Sequence, residues 1–282
     1  MLHKGMAGAV GLAAMLLAFA ATAATFDEAK YPDLSGQWRK PAGIGNQWDQ
    51  TRPLGRDQEP PLTPEYQAIF EASMADQQEG GQGNDPPSRC VPFAMPRVMT
   101  VVFSMEILVK PDTTHILFDH SLPRRIYTDG RDWPAEIEPS FLGYSIGRWV
   151  DEDGDGRYDV LEIETRGLKG PRTYEGTGLP FHSDNATILE ERIYLDRANP
   201  GILHDEITTI DHALTRPWVV TKDYRRTKTN KPIWWKETVC AENNVHVGIG
   251  KEVYFLSGDG LLMPAMKDQP PPDLRYFDKS RK

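Results

Sequence analysis

The chain has 282 residues, a formal net charge of −9, 39% apolar and 10% aromatic residues. This length suits one large domain or two small ones, and the apolar share excludes wholesale disorder. An acidic chain without a long Lys/Arg block also argues against nucleic acid or an anionic membrane surface as partner.

The first two dozen residues differ from the rest. A short basic start, "MLHKG", precedes the apolar run "MAGAVGLAAMLLAFA" and the small residues "ATAA". This is the pattern of a secretory signal, residues 1–24, with cut sites after Ala23 or Ala24. The apolar run is short and Gly-rich for a membrane span, and no other segment has the length or apolarity for stable insertion. The expected location is therefore outside the cytoplasm, in the periplasm or beyond. Loss of Lys4 with the leader takes the formal charge from −9 to −10, since residues 1–24 carry no other Lys, Arg, Asp or Glu.

Residues 25–62, rich in Pro, Gly and Gln, read as an extended arm on a core. Within it, "LSGQW" resembles the G-x-W opening strand of lipocalins. A helix is expected over 63–79: Thr63 is a fitting N-cap, Pro64 takes the first helical position and Glu65 suits the positive end. Tyr66, Ile69, Phe70 and Met74 form its apolar stripe, and Gly80–Gly81 end it.

From about residue 97 the texture is that of strands. "VMTVVFSMEILVK", "THILFDH", "RRIYTD", "YSIGRWV", "DVLEIETRG", "ATILEERIYL", "ILHDEITTID", "WVVTKDYRR" and "IWWKETVC" are β-branched, aromatic and separated by turn residues. Such a series without intervening helices predicts a mainly β fold, an antiparallel lipocalin-like β-barrel spanning 63–258. In "ILEERIYL" the alternation puts Ile188, Glu190, Arg192 and Tyr194 on one face and Leu189, Glu191, Ile193 and Leu195 on the other. Residues 259–282 read as a Pro-rich surface tail.

"DEDGDGRYDVLE", residues 151–162, matches the twelve-residue calcium-loop pattern. Asp151, Asp153, Asp155, the Arg157 carbonyl position, Asp159 and Glu162 are the ligand positions. The flanks read as strands rather than helices, so the loop is expected to tip a hairpin, with a structural Ca2+ and no catalytic role. Glu162 is the doubtful ligand, because a strand continuing from Asp159 carries it away. No organic cofactor is implied: GxGxxG, P-loop, HExxH and GxSxG motifs are absent.

The other polar constellations are "FDHSLPRRIYTDGRDWP", "GLPFHSDNATILEER" and "IDHALTRPW". His120, His182, Asp184 and Asp129 are the candidate acid–base groups, because a His beside a carboxylate is the equipment of proton transfer. Arg125, Tyr127, Arg131 and Trp149 are the candidate ligand contacts, since Arg holds anions and aromatic rings line apolar pockets. Convergence of inward-facing members in the barrel mouth would form a binding site for a small apolar or aromatic molecule. Two rival readings are a cofactor-free lyase or isomerase and an envelope interaction protein. The two cysteines, Cys90 and Cys240, are an even count in an exported chain and suggest a disulfide, worth about 4–5 kcal/mol by loop entropy.

Taken together, "DLSGQW", "PPLTPEYQAIFE", "CVPFAMPR", "RRIYTDGRDWP", "GYSIGRW", "LPFHSDNATILEER", "LTRPWVVTKDYRR" and "VCAENN" resemble, in that order, a family of largely uncharacterised exported bacterial proteins. The resemblance covers about residues 33 to 244. It implies one secreted, mainly β domain with Cys90 and Cys240 in paired positions, and it brings no activity. Those proteins have a shorter acidic turn after the "GxSIGRW" motif. Glu164 falls where they tend to carry a carboxylate, and Glu162 falls on an apolar position.

Overall fold

The computed structural model describes residues 26–41, 48–49, 51–52, 58–79, 81, 83–100, 103–227, 235, 245–249, 252–256, 261–264 and 268–271. The expected leader, the "IWWKETVC" strand apart from Trp235, and Cys240 lie outside them. Among the described residues no helix is long and apolar enough to cross a membrane.

Alternating apolar and polar residues make nine strands, and these close into a barrel in simple sequence order. They are β1 (Gln37–Arg39), β2 (Ser104–Val109), β3 (Thr113–Phe118), β4 (Arg124–Tyr127), β5 (Tyr144–Val150), β6 (Val160–Arg166), β7 (Ile188–Leu195), β8 (Ile202–Ile210) and β9 (Trp218–Arg226). All neighbours are antiparallel except β4 and β5, which run parallel in the register Ile126 to Ser145. At that junction Gly147 faces Ile126. A Cβ there would come within 2.7 Å of the Ile126 methyl, so "YSIGRW" needs glycine for the strands to close up.

The period-two pattern decides what fills the barrel. Leu189, Glu191 and Ile193 are buried and inward on β7, matching Thr209, Ile207 and Asp205 across β8. Trp38, Met105, Ile107, Ile116, Phe118, Leu161, Leu203, Val220 and Tyr224 join them in one continuous core. A large apolar side chain buried this way contributes about 1.5–3 kcal/mol.

The interior also holds charge. Arg124, 1% exposed, donates to both oxygens of fully buried Glu191, to Ser145 Oγ at 3.4 Å and to Thr165 Oγ1 at 2.9 Å. Asp205 and Lys222 are inward cross-strand neighbours on β8 and β9. Neither Asp205 carboxyl oxygen has a hydrogen-bond partner among the described residues. Burial, then the nearby Glu191 carboxylate, pushes its pKa well above the ordinary carboxylate range. Burial pushes Lys222 down to about 7, and its Nζ donates to the Trp48 carbonyl.

Beyond the parallel β4–β5 junction, which departs from the expected antiparallel barrel, further features refine the sequence reading. The arm supplies a barrel strand: β1 closes the sheet between β9 and β2, with Trp38 fully buried and its Nε1 donating to the Leu34 carbonyl at 2.9 Å. The expected first strand begins later, because Arg97–Thr100 forms one helical turn, α2, after Pro96. The expected helix is α1 (Pro64–Gln78), capped by Thr63, yet its Ile69 is 40% exposed. Polar contacts help dock α1, Ser73 Oγ reaching the Thr177 carbonyl at 3.1 Å. Finally, β10 (Val245–Ile249), β11 (Glu252–Leu256) and β12 (Leu262–Pro264) form a separate antiparallel sheet that runs into the expected tail.

Candidate functional site

A parallel pair cannot be joined by a hairpin, so the chain after β4 must travel back before β5 begins. That return, residues 128–143, ends beside the outer face of β4 and helps enclose a cleft of about 950 Å³. Phe93, Phe118, Leu122, Phe141, Tyr144 and Trp235 give it an aromatic and apolar lining. Its polar members are Asp119, His120, Ser121, Arg125, Tyr127 and Lys169. Three sequence candidates, His120, Arg125 and Tyr127, therefore meet here. They meet outside the wall rather than in the mouth, because β4 turns Arg124 inward and leaves Arg125 and Tyr127 outward.

His120 sits where β3 has ended at Phe118, so strand alternation no longer separates neighbours. Its Nδ1 lies 3.1 Å from Asp119 Oδ1 and its side chain is 2% exposed. The ring stacks on Phe103 at 4.2 Å and meets the edges of Phe93 and Phe118 at 5.0 and 6.0 Å. Burial among these rings lowers its pKa below 6.5, against the opposing pull of Asp119. The neutral ring donates from Nδ1 to the carboxylate, leaving a lone pair on Nε2, which has no partner among the described residues.

The cations of the cleft differ from those of the barrel. Arg125 is exposed and makes no hydrogen bond or ion pair among the described residues; Lys169 Nζ lies over the Phe141 ring at 5.6 Å. Among the described residues Asp119 is the one carboxylate in the lining, and it accepts a hydrogen bond from His120. An anion entering the cleft thus meets two cations, Arg125 and Lys169, against the single negative charge of Asp119, above aromatic walls.

Asp129 and Arg131 stand beside the cleft rather than in it. Arg131 donates to both Asp129 oxygens, lies over the Tyr127 ring at 3.8 Å and reaches Tyr144 Oη at 3.3 Å. Its hydrogen bonds hold Asp129 down to about 2, a permanent anion rather than a proton carrier. Their effect is to brace the Tyr127–Tyr144 pair, whose centroids are 4.9 Å apart. Trp149 is elsewhere: inward on β5, it donates to Thr114 Oγ1 at 3.3 Å and is covered by Tyr31.

His182 and Asp184 do not line the cleft. They lie in the connection before β7, a loop, so side chains two residues apart can meet. His182 Nδ1 is 3.2 Å from Asp184 Oδ2, and His212 Nδ1 is closer still to the same oxygen. The second and third polar constellations are thus one cluster.

The acidic hairpin joins β5 to β6 as expected, with Val150 opposite Val160. Asp151 accepts from the amides of Gly154 and Gly156 at 2.8 and 2.9 Å. Both glycines have positive φ, +75° and +89°, which fits their places in the turn. Asp151, Asp153 and Asp159 bring carboxylate oxygens within 4.8 Å of one another. Asp155 instead accepts from the Arg157 amide at 2.8 Å. Glu162 lies along β6, where Arg148 Nε donates to it at 2.8 Å, so the strand does carry it away from the loop.

No family model and no curated protein matches this chain. The reading of the site therefore rests on its own chemistry.

Two features of the cleft were hidden in the sequence. Lys169 sits alone between glycines in "GLKGP", with no pattern to mark it. Phe93 joins the lining from a segment far from β4 in the chain.

Proposed function

We propose that the outer cleft binds a small molecule with an apolar or aromatic body and an acidic group. The observation that carries this is the pairing of an aromatic lining with the cations Arg125 and Lys169, which among the described lining residues outnumber the carboxylate of Asp119, in a protein whose net charge is −9. Rings of the lining take the body, and the guanidinium and ammonium take the anion. Export after loss of residues 1–24 belongs to the same proposal, as does a calcium ion on the hairpin held by Asp151, Asp153 and Asp159. The Cys90–Cys240 pairing is kept as part of it.

The test compares 2-naphthoate with its neutral amide by calorimetry. Naphthoate should bind and the amide bind more weakly; Arg125→Ala and Lys169→Ala should each cost about 10-fold, the weight of one hydrogen bond to a charged group. Equal affinity for acid and amide, or indifference to both substitutions, would refute it. Mass spectrometry of small molecules that co-purify with the natively produced protein would then name the ligand class.

A second reading is favoured by Asp119 and His120. A neutral imidazole fixed by a carboxylate, with its buried second nitrogen unpartnered among the described residues, can take a proton from a ligand whose binding uncovers that nitrogen. His120→Gln should then abolish turnover of a bound acid while leaving its affinity within a few-fold. A substrate turned over equally by the variant would remove this role.

A further inference from the structure

We propose that His182, Asp184 and His212 form a binding site for a divalent transition metal of zinc type. It stands independently of the cleft and of the acidic hairpin.

Each of the three residues presents one donor atom, and these atoms lie within 4.8 Å of one another. Both ring nitrogens converge on a single oxygen, Asp184 Oδ2, with His182 Nδ1 at 3.2 Å. Donors bound at 2.0–2.2 Å around a tetrahedral ion stand about 3.3 Å apart, which the His182–Asp184 spacing already matches. The two imidazole planes are turned 82° from each other with centroids 5.6 Å apart, so the rings reach the common point from different directions.

The arrangement is held from below. Asp211, directly before His212, accepts the His182 amide at 2.9 Å and the Ala213 amide at 2.7 Å, and its other oxygen takes the Thr187 hydroxyl. One buried carboxylate thereby ties together the two connections that carry the donors. Arg172, with its side chain fully buried, donates to the His182 carbonyl at 2.7 Å and lies 3.6 Å from Asp211 Oδ2. Sites whose supporting groups are fixed in this way lose little order on binding an ion.

The charges at the centre call for a cation. The Asp184 amide lies 3.2 Å from His182 Nδ1, and Asp184 Oδ2 lies at the same distance from that nitrogen. A shared positive charge, a proton on a ring or a metal ion in its place, holds the two imidazoles and the carboxylate together. Two imidazoles with one carboxylate suit zinc and its neighbours, whereas calcium and magnesium take oxygen alone. The donors are 35%, 28% and 70% exposed in the order His182, Asp184, His212, so an ion has a direct path from solvent and an open side for a further ligand.

The experiment uses untagged full-chain protein stripped with chelator and titrated with Zn2+ by calorimetry, then with Co2+ followed by its visible absorption, in millimolar Ca2+. One zinc per chain is expected, with His212→Ala weakening it at least about 100-fold and His182→Ala likewise. Asp151→Asn, on the acidic hairpin, should leave zinc binding unchanged. Because His212 is an exposed side chain, its variant should melt with the metal-free wild type, which separates lost binding from lost folding. Failure of the wild type to retain zinc, or retention that survives the double His182→Ala/His212→Ala change, would overturn the site. A cluster that only takes up protons, seen as pH-dependent stability with no zinc bound, would overturn it too.

Discussion

Arg124 is the sharpest place to probe what holds the barrel. In Arg124→Met the apolar length of the side chain is kept, but buried Glu191 loses its bidentate partner. Ser145 and Thr165 lose the guanidinium as well, although their mutual contact at 2.8 Å survives. Breaking one side of a buried ion pair costs about 3–5 kcal/mol, because the remaining charge is left uncompensated. At about 2–4 °C per kcal/mol for a domain of this size, the melting point should fall by roughly 6–20 °C. Glu191→Leu alone should be costly for the same reason, leaving a buried guanidinium. The double variant removes both charges and also takes the Glu191 carboxylate away from Asp205, so it should recover most of the loss. Urea unfolding of the four proteins at one pH, followed by tryptophan fluorescence, gives the comparison. A cost below about 1 kcal/mol for Arg124→Met, or a double variant no more stable than the single, would show that the pair does not carry this weight.

Other expectations concern titration and ion binding. The native state keeps the Asp205 proton at pH values where the unfolded chain has released it, so this group lowers stability as pH rises through and above the ordinary carboxylate range. Asp205→Asn should remove that fall and gain stability relative to wild type toward pH 8; parallel profiles in urea melts from pH 4 to 8 would count against it. Lys222 works in the opposite sense: native protein releases its proton near pH 7 and the unfolded chain near 10.5, so stability from this group rises across that window. Lys222→Met should flatten the rise in stability, read from urea denaturation, between pH 7 and 10, and an unaltered slope would refute the assignment. On the hairpin, calcium at about 100 times its dissociation constant should add about 2.7 kcal/mol, or roughly 5–10 °C of melting temperature. Asp151→Asn/Asp153→Asn should abolish the shift, and a wild type that melts identically with and without millimolar calcium would end the calcium reading.

Much of the barrel was legible because its strands are amphipathic. "ILEERIYL" assigns its own two faces, and from Ile188 to Ile193 burial alternates as that pattern predicts, Tyr194 and Leu195 both being half-buried. β1 was harder to read because three residues are too few for a period, and Trp38 is held by one carbonyl and by Arg226 stacked 4.6 Å away. The parallel junction was hidden for another reason: nothing in "RRIY" or "YSIGRW" encodes direction, which depends on the path of residues 128–143. The same path set the location of the cleft, so the sequence reading named His120, Arg125 and Tyr127 but not the side of the wall. Glu191 was visible as an acid on an apolar face. Its partner could not be chosen from "PRRIY", where Arg124 and Arg125 differ only in which way the pleat turns them.

The closing strand also bears on the order in which the fold assembles. Each of the other seams joins strands adjacent in sequence, whereas β1 meets β9 through two residue pairs, Trp38 with Arg226 and Arg39 with Arg225. Closing so long a loop costs more entropy than any neighbouring pairing, for the return of a very short ladder. Residue 38 is synthesised long before residue 226, so as long as this seam is unmade the sheet has two bare edges. The Trp38 ring, seated 4.6 Å under Arg226, adds a side-chain contact to that short seam. Until the seam forms, β9 is an edge open to a strand from another molecule, and the speed of closure sets how long the hazard lasts.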